Sequence, residues 1–176
     1  MTGRPGQDEA ATYYFTYIDR VHGDDVVGVM EAQLEDLTLF LGITEEASLR
    51  RYAPDKWSIR EVLSHINDTE RVFLFRAFWF ARGFDTPMPS FDQEIAIGSA
   101  HANDVPWEKH VEEFRTVRQA SFSFFRNLPA EAWAKAGIAS GNPFTVRALA
   151  YVLAGHAAHH VAILKERYLV AAALKP

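Results

Sequence analysis

Apolar positions recur every three or four residues in four long segments of the chain, which is the pattern of amphipathic helices. The first segment runs from about Asp24 to Leu41 and closes at Gly42. The second opens on a capping-box pattern, in which Ser58 is followed three residues later by Glu61, and it stops near Gly83. These patterns predict two long helices in the first half of the chain.

Two further helices are predicted in the second half. The third starts at Asp104, has Pro106 near its first turn and runs to about Leu128. The fourth follows a short helical turn at "PAEAWAKA" and a Gly/Asn/Pro turn, and it runs from about Thr145 to about Val170. No segment shows a convincing strand alternation. Four long amphipathic helices predict an all-α fold, a four-helix bundle.

The connection from Phe84 to Asn103 is long for a compact bundle and contains two prolines and two aspartates. We expect a longer, irregular crossover between the second and third helices, and loops of this length are often functional. Residues 1–10 are polar and rich in Gly and Pro, so we expect them to be loose. The length predicts a single domain over residues 1–176.

Composition narrows the range of partners. The net charge is −5, with Lys and Arg scattered among Asp and Glu, which argues against nucleic acid. No apolar stretch approaches the roughly 20 residues that span a bilayer, and the N-terminus lacks the apolar region of a signal peptide. We therefore expect no membrane partner and a cytoplasmic location. Because the chain has no cysteine, any metal must be held by His, Asp or Glu.

The segment "GHAAHHVAILKERY" places three histidines inside the fourth helix. His156 and His160 lie one turn apart on its apolar stripe, a spacing that suits one metal ion, while His159 lies beside them. On the second helix, His65 precedes the stripe position Ile66 and also points inward, as metal ligands of bundles do. The residues leave two interpretations open: a metal site, or core histidines that are satisfied by hydrogen bonds.

No general base is evident in these segments. "HAAHH" has Ala157 where the H-E-x-x-H motif has its glutamate, which excludes zincin-type hydrolysis by that residue. Asp68, three residues after His65, is a weak candidate for a catalytic or orienting carboxylate, and a solvated carboxylate is the alternative. Glu70 and Arg71 are expected to face outward or to pair within the helix.

Two other groups of residues lie outside these segments. The remaining histidines are assigned no chemistry because they lie in turns or at exposed-looking positions; they are His22, His101 and His110. The aromatic residues near the N-terminus could pack over one end of the bundle or form the wall of a small-molecule cleft; they are Tyr13, Tyr14, Phe15 and Tyr17.

The segments "DKWSIREVLSHINDTERVF" and "TVRALAYVLAGHAAHHVAILKERYL", in this order and spacing, resemble the DinB/YfiT-like superfamily of metal-dependent hydrolases. The resemblance covers nearly the whole chain, from "YYFTYI" to the last helix. It implies a four-helix bundle with one divalent metal ion, nickel or zinc, held by three histidines. Carried over to this chain, the ligands are His65, His156 and His160, and His159 is not one of them.

The same resemblance implies an enzyme that acts on a small molecule. Members of the superfamily include S-transferases that use low-molecular-weight thiols such as bacillithiol or mycothiol, and mycothiol-dependent isomerases. Thiol S-transfer or hydrolysis is therefore expected, since a metal with open positions lowers the pKa of a thiol or water. The alternative is a non-catalytic bundle with a stress-related role that binds a metal or a small molecule. A homodimer is also expected, because the aromatic content exceeds what one core needs.

Overall fold

The computed structural model describes residues 3–169. Its helices are α1 to α7, and a hairpin of strands β1 and β2 precedes α7. In chain order the elements are α1 Phe15–Ile18, α2 Val26–Ala32, α3 Asp36–Leu41, α4 Ile59–Ala81, α5 Gln93–Ala100, α6 Trp107–Arg126, β1 Ala136–Ala139, β2 Asn142–Thr145 and α7 Val146–Ile163. Helix α4 packs against α6 and α7, and α2 packs against the same two helices. This arrangement confirms the predicted helical bundle.

Helix α4 begins where the sequence predicts. The Ser58 side chain accepts a hydrogen bond from the Glu61 backbone N–H, and the Glu61 carboxylate accepts one from the Ser58 N–H at 2.7 Å. The helix ends at Ala81, and Gly83 follows with a φ of 86°. A complete capping box at one end and a left-handed glycine beyond the other explain why these bounds are readable from sequence.

The first predicted helix is interrupted. A 3₁₀ turn at Gln33–Glu35 separates α2 from α3. Gln33, at the start of this turn, points into the bundle: its Nε2 donates to the Ala154 carbonyl of α7 at 2.9 Å, and its Oε1 accepts from Arg118 of α6 at 2.6 Å. The break thus lies where a polar side chain links two neighbouring helices.

Helix α6 begins later than predicted, at Trp107, because the residues before it cannot continue a helix. Residues 102–104 form a separate 3₁₀ turn, and Val105 is extended, with φ −93° and ψ 132°. A residue that precedes proline is pushed out of the α region by the proline ring, here that of Pro106. Helix α7 is capped by Thr145, whose hydroxyl accepts from the Ala148 N–H, and it continues as a π-helix over Leu164–Leu169. Val170 lies outside the described residues.

The β-hairpin was not predicted from the sequence. Strands β1 and β2 are antiparallel, with Ala136 opposite Thr145, and the turn between them consists of Ser140 and Gly141, both at positive φ. Two such residues form the tight turn that suits a hairpin. Gly137 packs so closely on α4 that an added Cβ would overlap the ring of Phe80. Each strand has only four residues, which explains why no alternation was visible.

The long crossover is more ordered than expected. It contains α5, whose N-cap Asp92 accepts hydrogen bonds from two backbone N–H groups. Before α5, Met88 pairs with the hairpin: its N–H donates to the Ile138 carbonyl at 2.9 Å, and its carbonyl accepts from Ser140 N–H at 3.1 Å. The crossover and the hairpin therefore form one connected region beside α4.

The expectation of a loose N-terminus is wrong for residues 3–10. Arg4 donates to the Val21 carbonyl at 2.6 Å, Glu9 pairs with Arg147 at 3.0 Å, and Ala10 is bridged to Phe144 of β2. Arg4 and Glu9 thus tie this segment to the rest of the chain through specific contacts.

The core has two apolar clusters. One surrounds the C-terminal half of α4 and the N-terminal half of α7, and the other surrounds the opposite halves of the same helices. His65 and His156 lie where these clusters meet. Among residues 3–169, no helix combines the length and hydropathy that crossing a membrane requires.

Candidate metal centre

Helices α4 and α7 bring the three predicted histidines together. Nε2 of His156 lies 3.0 Å from Nε2 of His65 and 3.1 Å from Nε2 of His160. One ring nitrogen of each residue lies within 4.8 Å of the others. The i, i+4 pair therefore meets its third member across the helix interface, as the sequence predicted, and these residues form the histidine cluster.

The spacing of the nitrogens fits a shared metal ion. Two nitrogens bound to zinc at about 2.0–2.1 Å, with an angle of roughly 90–110° between them, are about 2.8–3.4 Å apart. Hydrogen bonding alone explains the cluster less well, because a neutral imidazole nitrogen carries either a proton or a lone pair. Nε2 of His156 faces two other Nε2 atoms. It has only one proton or one lone pair, and both neighbours would have to share it.

Burial keeps the imidazoles neutral. His65 and His156 are almost fully buried, and His160 is half-buried. Burial lowers the pKa of His65 to about 4. It also lowers the pKa of His160 to about 3 and that of His156 well below its ordinary value, and in both the charge of neighbouring histidines adds to the effect. At neutral pH the rings are uncharged, which is the form that binds metals.

Thr69 orients His65. Its Oγ1 lies 3.3 Å from Nδ1 of His65, one turn further along α4. If Nε2 of His65 presents its lone pair to the cluster, its proton is on Nδ1, and the Thr69 hydroxyl accepts it. Thr69 was not among the predicted site residues. The i+4 spacing was the signal that could have found it.

Asp68, the weak carboxylate candidate, faces another direction. It pairs with Arg71 at 3.2 Å and lines a pocket with Ser64, His110 and Glu113. None of the contacts that the structure gives for Asp68 involves the histidine cluster. A residue three positions further along a helix is rotated about 60° from the first, which here turns Asp68 toward α6. Burial raises its pKa.

Two other expectations are wrong. Glu70 does not face outward: its carboxylate is buried and pairs with the buried Arg118 of α6 at 2.8 Å. His110 is not exposed: it is a core histidine whose Nε2 lies 2.9 Å from the Ala102 carbonyl. Both depend on partners from other elements, which a helical pattern does not reveal.

The aromatic N-terminal segment packs over the cluster. The ring of Tyr17 lies edge-on to His156, with centroids 5.3 Å apart, and its hydroxyl lies 3.2 Å from that of Tyr13. Gly155 makes this possible, since a Cβ there would overlap the Tyr17 carbonyl oxygen. Burial, followed by the bond with Tyr13, raises the pKa of Tyr17 and keeps its hydroxyl protonated.

Two cavities open onto the cluster. The tyrosine cavity measures about 180 Å³ and is lined by Tyr13, Tyr14, Tyr17, His65, Thr69, Val72, Phe73, Arg76, Phe91, Gln93, Ser140 and His156. The tryptophan cavity measures about 270 Å³ and is lined by Tyr52, Asp55, Lys56, Trp57, Val62, Glu94, His160, Ile163 and Tyr168. The tyrosines thus line a cleft, which supports the second interpretation of the aromatic segment. Small molecules have two routes to the histidines.

The fold and the family are recognisable in known proteins. A family model described as the DinB superfamily matches residues 30–164. The structure is similar to that of YfiT from Bacillus subtilis, described as a probable metal-dependent hydrolase with an unusual four-helix bundle topology. The identity is 14%, the TM-score is 0.74, and the match covers 96% of this chain and 93% of that one. This likeness confirms the four-helix bundle.

A second similar structure is a mycothiol-dependent maleylpyruvate isomerase. The identity is 11% and the TM-score 0.64, and the match covers 78% of this chain and 58% of that one. The matched region is therefore little more than half of the isomerase. A comparison with curated proteins finds no match. At these identities, the solved structures establish the fold alone.

Proposed function

The chain belongs to the DinB superfamily, and from that premise we propose that it is a metal-dependent enzyme that acts on a small molecule, by thiol S-transfer or hydrolysis. One divalent ion would be held by His65, His156 and His160. The convergence of their three Nε2 atoms beside two cavities carries the proposal. A purely structural ion needs no such openings.

The donor set supports nickel or zinc. Imidazole nitrogen suits both ions, and three protein ligands are the number found in catalytic zinc sites, which keep a position open. When bound, such an ion supplies a Lewis acid that lowers the pKa of a thiol or of water.

The surrounding residues prepare the site. Burial keeps the three imidazoles uncharged, and the Thr69 hydroxyl accepts the Nδ1 proton of His65. The protonated hydroxyl of Tyr17 can donate a hydrogen bond to a substrate in the tyrosine cavity. On the opposite side, the Trp57 ring packs on His65 with centroids 4.9 Å apart and shields it from bulk water.

A low-molecular-weight thiol is the proposed co-substrate. The isomerase of similar fold is mycothiol-dependent by name, and this chain has no cysteine to supply a thiol itself. An external thiol that enters one of the two cavities would provide the nucleophile.

Elemental analysis and a thiol-transfer assay test the proposal together. We expect close to one nickel or zinc ion per chain in protein purified without chelator, and transfer activity with one of several small thiols. His160→Ala should lose both the ion and the activity, whereas His159→Ala, a matched change on the same helix, should keep the ion. A protein that takes up neither ion after incubation with both would contradict the proposal.

The proposal includes a homodimer. Phe75 and Phe78 of α4 are 51% and 36% exposed, and with Leu74 and Phe124 they line an apolar groove on the outer face of the bundle. Exposed aromatic patches of this kind are typical of interfaces. Sedimentation of the wild type and of Phe75→Ser should distinguish dimer from monomer. The cytoplasmic location and the absence of nucleic-acid and membrane partners stay predictions.

A further inference from the structure

We propose that Arg76 binds a carboxylate of the substrate at the end of the tyrosine cavity remote from the histidine cluster. The inference deepens the proposed function and rests on it, because it makes the substrate a small molecule with an anionic group distant from its reacting end.

Arg76 is a buried cation without a carboxylate partner. It is 4% exposed, yet no Asp or Glu among residues 3–169 lies within ion-pairing distance of its guanidinium. Burial lowers its pKa, and the opposing influence is the Tyr14 hydroxyl. The other two buried arginines each have a carboxylate partner: Arg60 pairs with Glu45, and Arg118 pairs with Glu70. A buried charge is costly unless it is paired, so the missing partner points to a ligand.

The guanidinium is held in place with donors to spare. Its Nη2 donates to the Pro89 carbonyl and to Ser140 Oγ, each at 2.9 Å. Nε and Nη1 have no hydrogen-bond partner among the described residues, and Arg76 lines the tyrosine cavity. The crossover and the hairpin turn therefore fix the group while leaving N–H donors for an anion. Planar guanidinium matches carboxylate geometry.

The cavity suits an anion for a second reason. None of the described residues that line it is an aspartate or a glutamate, and Tyr13, Tyr14 and Tyr17 contribute hydroxyl groups. The tryptophan cavity differs, since Asp55 and Glu94 line it. Of the two routes to the histidines, only the tyrosine cavity combines a buried cation with no opposing carboxylate.

Geometry places Arg76 and the histidines at opposite ends of one cavity. Arg76 follows His65 by eleven residues, which is about three helical turns, so both lie on the same face of α4. The Phe73 ring is close to both groups: its centroid is 6.2 Å from that of His156 and 5.8 Å from Cζ of Arg76. The guanidinium carbon of Arg76 is thus at most about 12 Å from the centre of the His156 ring, which is within the span of a small metabolite.

The test uses two matched series of probes on the zinc-loaded full chain, by titration calorimetry. One series consists of ω-mercaptocarboxylates of increasing chain length, and the other of the corresponding ω-mercaptoalcohols. We expect the acid to bind at least tenfold more tightly than the alcohol at one intermediate length. Arg76→Met should remove this preference without changing alcohol affinity, and Arg76→Lys should retain part of it. Arg82→Met, a change at the end of the same helix, should retain all of it.

The outcomes separate the inference from the proposed function. Equal binding of acid and alcohol by the wild type at every length would overturn the role of Arg76, and this comparison does not depend on whether a variant folds. Equal loss of both affinities in a folded Arg76→Met protein would also overturn it. If the alcohols bind no better to zinc-loaded than to chelator-treated protein while the acid preference persists, the anion subsite stands and the proposed metal chemistry fails.

Discussion

A histidine that stays neutral in the folded chain and becomes protonated in the unfolded chain makes folding sensitive to acid. The ordinary pKa of histidine is about 6.5, whereas burial lowers that of His65 to about 4 and that of His160 to about 3. At a pH between the ordinary and the lowered pKa, the unfolded state binds more protons than the folded state. The free energy of unfolding therefore falls as the pH falls.

For the metal-free protein, we expect the free energy of unfolding to decrease from about pH 6.5 toward pH 4. Each histidine that is charged only when unfolded contributes up to about 1.4 kcal/mol per pH unit. Urea unfolding at pH 7, 6 and 5 measures this slope. His65→Gln should reduce it, and a change of the exposed His22 to Gln should not. A constant free energy across this range would show that the cluster is not buried and neutral.

The contrast between Thr69 and Asp68 shows what a sequence reveals about single side chains. The inward direction of His65, His156 and His160 followed from the apolar stripes, and the structure brings their ring nitrogens together. The supporting residue was misassigned because two polar residues one position apart on a helix point about 100° apart. Asp68 was chosen because carboxylates commonly act as bases, whereas the side chain beside Nδ1 of His65 is the hydroxyl of Thr69.

Among the helices, α4 and α6 are joined by a buried ion pair that the helical pattern concealed. Glu70 and Arg118 are 3% and 0% exposed, and Arg118 also donates to Gln33 at 2.6 Å. Gln33 in turn reaches the carbonyl of Ala154, two residues before His156. This chain of contacts supports α7 directly behind the histidine cluster.

Breaking the buried pair should lower the free energy of unfolding far more than breaking an exposed ion pair does. We expect Arg118→Met to lower the free energy of unfolding by about 3–5 kcal/mol, because it leaves the Glu70 carboxylate buried and unpaired. Glu70→Leu combined with Arg118→Met should cost less than Arg118→Met alone. Arg126→Met, on the same helix, breaks the exposed pair with Glu31 and should cost less than about 1 kcal/mol. Urea denaturation of the wild type and the three variants measures these differences, and a double variant no more stable than Arg118→Met would argue against a coupled pair.

The predictability of each element followed the length and regularity of its pattern. Helix α4 was predicted to within two residues because its stripe is long and its capping box complete. The break at Gln33 depends on contacts with α6 and α7, which no local pattern encodes. The hairpin has two strands of four residues, too short for alternation to be visible.

For the molecule as a whole, the proposed ion would link parts of the chain that are distant in sequence. His65 and His156 are 91 residues apart. An ion that binds this folded arrangement more tightly than the unfolded chain stabilises the fold by mass action.

Chelation should therefore lower the thermal stability. At free zinc or nickel about 100-fold above its dissociation constant, the stabilisation is about 2.7 kcal/mol, equivalent to roughly 5–10 °C in Tm. Scanning calorimetry with and without chelator should show this difference, and returning the ion should reverse it. In His160→Ala the Tm should not respond to the chelator. An equal response of both proteins would mean that the ion acts elsewhere.

The hairpin has a consequence for how such proteins diverge. The histidines belong to the two helices at the centre of the bundle, where any change disturbs packing on both sides. Ser140 and Pro89, which hold Arg76, lie instead in a surface turn and in the crossover, joined to each other through Met88. Surface turns tolerate insertions and substitutions far better than helix cores. With Arg76 in its proposed role, changes in two loops would alter the substrate preference and leave the histidine cluster intact.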